Sequence, residues 1–126
     1  MRILDARLHR LADVAFALAF VLGPLVFGLG GSPAVFSFLF AVAFVLLAAT
    51  VWRRGRHAAP VVSILHGLIE LAITIVLAVL PIVDGYAPGS PARRFVWTMA
   101  ILVGVVWTLT ASGERSSLSR EAPAAR

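Results

Sequence analysis

Four stretches of this chain carry almost no charge and are each long enough to cross a lipid bilayer: Leu11 to Gly30, Ala34 to Trp52, Ala58 to Val83, and Phe95 to Ala111. A helix rising ~1.5 Å per residue needs about 20 apolar residues to cover ~30 Å of hydrocarbon. Inside hydrocarbon every backbone N–H and C=O must find a partner within the protein, so only helices or closed barrels span it, and unbroken apolar runs of this length select helices. Composition agrees. Hydrophobic residues make up 60% of the 126 and charged residues 13%, against about a quarter charged in soluble domains, and the mean hydropathy is +0.97. The expected fold class is an all-α membrane protein with four transmembrane helices arranged as two parallel-repeat helical hairpins. The third run is longer than needed and is expected to tilt or to begin in the interface. The first could be mistaken for a cleaved leader, but Asp13 interrupts it and no small-x-small cleavage pattern follows, so it reads as a retained span.

The charges fix a direction. All eleven basic residues are Arg, giving a net charge of +5. Arg2, Arg7 and Arg10 precede the first run, Arg53, Arg54 and Arg56 lie between the second and third, and Arg115, Arg120 and Arg126 follow the fourth; the opposite side has only Arg93 and Arg94. The positive-inside rule then places both termini in the cytoplasm. The expected location is a bacterial plasma membrane, with the lipid bilayer as the first partner. A basic balance of this origin is no sign of nucleic acid, which would need a basic face with polar or aromatic readers. Trp52, Trp97 and Trp107 lie near span ends, where indoles anchor at headgroups.

The tetrapeptide Gly-Ser-Pro-Ala occurs at 31–34 and again at 89–92. In each copy the Ser is placed to cap a helix and the Pro to occupy its first turn. At an offset of 57, Leu8-His9 matches Leu65-His66, Leu11 matches Leu68, Asp13 matches Glu70, Ala15 matches Ala72, Pro24 matches Pro81, and Gly28 matches Gly85. The spans therefore form a four-span bundle over residues 1–111, with repeat one at about 8–52 and repeat two at about 65–111. Each repeat has an even number of spans, so both insert in the same direction. Residues 112–126, rich in Ser, Ala and Arg, read as a short disordered cytoplasmic tail.

With this layout, "LGPLVFGL" at 22–29 and "VLPIVDGY" at 79–86 resemble the SPW-repeat family of small bacterial membrane proteins, whose two-helix repeat carries Ser-Pro-Trp near the end of its first helix. Pro and the later Gly are kept, while Gly23-Pro24-Leu25 and Leu80-Pro81-Ile82 replace the Ser and the Trp. The resemblance implies a two-hairpin architecture and no particular activity.

An ionisable side chain within hydrocarbon is expensive and needs an explanation. Counted from the ends of its run, Glu70 lies near the midplane, with Ser63, His66 and Thr74 on the same helical face at one-turn spacing. Its repeat counterpart, His9 with Asp13, falls nearer the cytoplasmic interface. One reading of this polar stripe is proton or cation handling; the other, preferred on sequence, is interhelical hydrogen bonding. Small residues at four-residue spacing, Ala15, Ala19 and Gly23 in the first span and Ala100 and Gly104 in the fourth, mark helix-packing seams. Phe36, Phe38, Phe40 and Phe44 are expected to face lipid or a partner. Pro24 and Pro81 are expected to end or kink their helices, and Arg53, Arg54 and Arg56 to set topology.

There is no catalytic Ser-His-acid set, no HExxH, no nucleotide-binding glycine loop and no Cys, so neither an enzyme, a cofactor nor a metal is expected. The expected role is that of a structural or accessory subunit packing against other membrane proteins or a second copy of itself. The alternative is a small proton- or cation-coupled transporter or channel using the Glu70 stripe.

Overall fold

The computed structural model describes the backbone of residues 6–54 and 60–121 and the side chains of 8–50 and 64–110. Four helices follow one another: α1 (Ala6–Val26), α2 (Gly31–Arg54), α3 (Pro60–Val83) and α4 (Pro91–Glu121). All four are long and apolar enough to cross a membrane, over Leu8–Val26, Gly31–Thr50, Ile64–Val83 and Pro91–Thr110. The chain is thus all-helical across its described length. α1 packs along α2 and α3 along α4, and the two hairpins meet where α1 touches α4.

The hairpin turns are built alike. Pro24 and Pro81 lie inside their helices, which stop two residues later at Val26 and Val83. In the first, the Leu29 N–H bonds the Pro24 carbonyl at 2.8 Å; in the second, the Tyr86 N–H bonds the Pro81 carbonyl at 2.9 Å. Both are the six-to-one bonds of a Schellman stop, which demands a left-handed residue just before the donor. Gly28 (φ 61°) and Gly85 (φ 69°) supply it, where a Cβ would crowd the following carbonyl. Residues 57 apart therefore perform the same backbone task.

The starts of α2 and α4 differ. Ser90 caps α4 as expected, its hydroxyl accepting from the Arg93 N–H at 3.2 Å. Ser32 does not cap α2; its hydroxyl instead donates to Asp84 Oδ2 and ties the two turns together. Acid at 84 wins the hydroxyl because a charge-assisted bond is stronger than a neutral cap. Beside it Tyr86 is buried, and burial, with the Asp84 charge, holds its phenol above the usual range.

Pro24 has a second consequence. A proline lacks the N–H that would bond the carbonyl four residues earlier. That carbonyl, on Phe20, accepts from the buried Ser37 hydroxyl of α2 at 2.7 Å. Around it lies an aromatic core: the Phe20 ring stacks on Phe44 (5.8 Å between centroids) and meets Phe95 edge-on (6.0 Å), while Phe16 packs on Phe44 at 5.3 Å. Phe44 is thus fully buried, not lipid-facing, and Phe40 is half-buried against Phe20; only Phe38 of that set is largely exposed. α2 turns its Phe residues to several sides, and the side facing α1 becomes core.

Two further expectations change. α4 runs on to Glu121, through ten residues that read as a disordered tail. Ser112–Glu121 holds no proline, the residue that most strongly breaks a helix interior. The indoles are interhelical donors and not merely interfacial anchors: Trp107 Nε1 donates to the Gly67 carbonyl at 2.9 Å and Trp97 Nε1 to the Ala78 carbonyl at 3.2 Å. The side chains of Trp52, Arg53, Arg54 and Arg56 lie outside those described.

Candidate functional site

The polar residues of α1 and α3 converge. His9 and Asp13 are one turn apart on α1, His66 and Glu70 one turn apart on α3, and each pair faces the other across the bundle. Glu70 lies near the middle of α3 (Pro60–Val83), and the convergence brings Asp13, expected nearer the interface, to the same depth.

One ligand-type atom from each of the four side chains lies within 4.8 Å of all the others. His9 Nε2 stands 3.1 Å from His66 Nε2 and 3.2 Å from Glu70 Oε1. His66 Nε2 stands 3.4 Å from Glu70 Oε1 and 3.6 Å from Asp13 Oδ2. Asp13 is fully buried, and its two oxygens have no hydrogen-bond partner among the described residues; the same holds for His66 Nδ1. Such orphaned acceptors are costly and uncommon in a folded interior.

A second layer holds the quartet. The Thr110 hydroxyl, on α4, lies 2.9 Å from the Val106 carbonyl and 3.2 Å from His9 Nδ1, so it meets the imidazole on the edge away from the other three groups. Nε2 of His9 faces those groups.

Thr74 is not part of this grouping. Its hydroxyl bonds back to the Glu70 carbonyl at 2.9 Å, and its methyl faces Gly104 of α4, where a Cβ would approach to 3.2 Å. The Ser63 side chain lies outside those described. Among the expected packing residues, Gly23 and Ala100 are buried, Ala19 and Gly104 half-buried, and Ala15 exposed. A four-residue spacing advances about 40° around a 3.6-residue helix, so the row from Ala15 to Gly23 turns from the outer face into the seam.

Sequence reasoning named all four members of the quartet but kept them as two separate pairs, and expected no metal. The signal that joins them was present: an offset of 57 equates His9 with His66 and Asp13 with Glu70, so two hairpins packed alike bring the pairs face to face. The chain matches no protein-family model, no curated protein and no solved structure.

Proposed function

We propose that this chain is a small multi-pass membrane protein that handles cations at the centre formed by His9, Asp13, His66 and Glu70. One observation carries the reading: two imidazoles and two carboxyls face one another within 4.8 Å, buried inside membrane-spanning helices. Polar groups at this depth are costly and mark ion or proton pathways when they face a bundle interior. In this reading the hairpins are copies of one unit inserted in the same direction in a bacterial plasma membrane, with both termini cytoplasmic. The likeness to the SPW-repeat family agrees with the architecture and adds no activity.

Purified protein in liposomes, loaded with a pH-sensitive dye and given a proton or cation gradient, tests this. Wild-type protein is expected to dissipate the gradient and Glu70→Gln to stop doing so; vesicles that hold the gradient equally with and without wild-type protein defeat the transport form of the proposal.

The second reading is an accessory subunit packing against other membrane helices or a second copy. Exposed Ala15, between exposed Leu11 and Leu18, leaves a shallow strip on the outer face of α1 of the kind that lets helices approach closely. Native mass spectrometry in nanodiscs discriminates: a strictly monomeric protein with no co-purifying partner removes this reading.

A further inference from the structure

We infer that the quartet is a four-coordinate site for one divalent transition-metal ion of the zinc class, with His9 Nε2, His66 Nε2, one oxygen of Asp13 and one oxygen of Glu70 as ligands. The inference rests on the cation-handling reading above and names its cargo.

The distances argue first. Zinc bonds to imidazole nitrogen and carboxylate oxygen are about 2.0–2.1 Å, which places neighbouring ligands of a tetrahedron about 3.3–3.4 Å apart. Of the six edges, the four given above, 3.1, 3.2, 3.4 and 3.6 Å, bracket that value, and the two from Asp13 to His9 and to Glu70 lie within 4.8 Å.

Orphaned acceptors argue second. Asp13 is fully buried and neither of its oxygens has a hydrogen-bond partner among the described residues. Carboxylate oxygens grouped with two imidazole nitrogens at this spacing are an arrangement that a cation completes. With an ion bound, each imidazole would carry its proton on Nδ1, at His9 toward the Thr110 hydroxyl, and turn Nε2 inward.

Charge argues third. A divalent ion with two carboxylates and two neutral imidazoles sums to zero, the least costly total for a centre within hydrocarbon. Magnesium and calcium fit poorly, since they want six or more oxygen ligands, whereas imidazole pairs suit zinc and its neighbours. The Thr110 contact supplies the outer-layer bond that metal-ligating histidines use to fix their orientation.

The test uses the full chain in nanodiscs, stripped with a chelator and titrated with Zn2+ by calorimetry and with Co2+ by visible absorption. The expected result is one ion per chain, intense visible bands of tetrahedral Co2+, and a weakening on the order of 100-fold or more in Asp13→Asn and in Glu70→Gln, at least the upper end of what losing an outer-layer partner costs. Trp97→Phe, remote from the centre, is expected to bind as the wild type does. Wild-type protein that takes up no stoichiometric Zn2+, or Asp13→Asn and Glu70→Gln variants that both bind as tightly as wild type, would overturn the inference. Should a variant fail to fold, the wild-type stoichiometry and Co2+ spectrum decide alone. Absent Zn2+ binding together with a Glu70-dependent proton flux sinks the metal site and spares the cation-handling reading; absence of both sinks the two together.

Discussion

Gly23 of α1 abuts the tip of the Phe95 ring of α4, so close that a Cβ on residue 23 would clash with Phe95 Cζ and Cε2. Phe20 meets that ring edge-on at 6.0 Å and Phe27 lies 5.6 Å away, so the site is already occupied by three aromatic rings. Gly23→Ala is therefore expected to destabilise the bundle by ~1–3 kcal/mol, the usual range for overpacking a filled site. Reversible unfolding in mixed micelles measures it. Phe95→Leu in the same chain should recover part of the loss, and an additive double variant would show that the two residues do not compete for space.

Thr110 holds the outer edge of the His9 ring. Thr110→Val keeps the shape and removes the hydroxyl that meets Nδ1. Zn2+ affinity should fall by about 10–100-fold, with Thr110→Ser close to wild type. Equal affinity in all three proteins would show that the hydroxyl does not orient the ring.

Glu70 separates assembly from cation handling. Glu70→Gln retains hydrogen-bonding capacity and should leave unfolding stability nearly unchanged, while Glu70→Leu should loosen the bundle by roughly 1 kcal/mol, as for an interhelical hydrogen bond in a membrane. A Leu variant as stable as wild type would mean that the centre contributes nothing to holding α1 and α3 together.

Much of the architecture was legible in the sequence, and the reason is specific. Hydrocarbon admits few backbone solutions, so four apolar runs already meant four helices, and Pro24, Gly28, Pro81 and Gly85 announced the two stops. The quartet was half legible. His9 with Asp13 and His66 with Glu70 show at four-residue spacing, but their meeting is a tertiary event between residues 57 apart, and no local motif records it. The fate of Phe44, and that of the Trp97 and Trp107 N–H groups, depended on which side each helix turned to its neighbour, which a nearly uniform apolar surface does not encode.

Trp107 ties α4 to α3 through the Gly67 carbonyl at 2.9 Å. Trp107→Phe keeps an aromatic body without the donor and is expected to cost ~1 kcal/mol, more than Trp97→Phe, whose longer bond of 3.2 Å lies in an exposed position. Unfolding of the two variants side by side checks the order.

Topology is open to direct labelling. Single cysteines at Ser32 and Ser90 should react with an impermeant thiol reagent added to intact cells, and cysteines at Gly55 and Ser117 should not. Labelling at Gly55 from outside would overturn the same-direction arrangement of the hairpins.

Each hairpin closes its own α1–α2 or α3–α4 seam, whereas the halves share a narrower α1–α4 contact, the Ser32–Asp84 bond between the turns and the facing quartet. A chain severed within the 55–59 link should thus behave as two separately insertable pieces. If an ion bridges them, rejoining becomes a chemical equilibrium set by its concentration: the pieces would co-elute when it is supplied and drift apart when it is chelated. The link would then act as a tether that raises the local concentration of one half about the other, and the ion as a rivet.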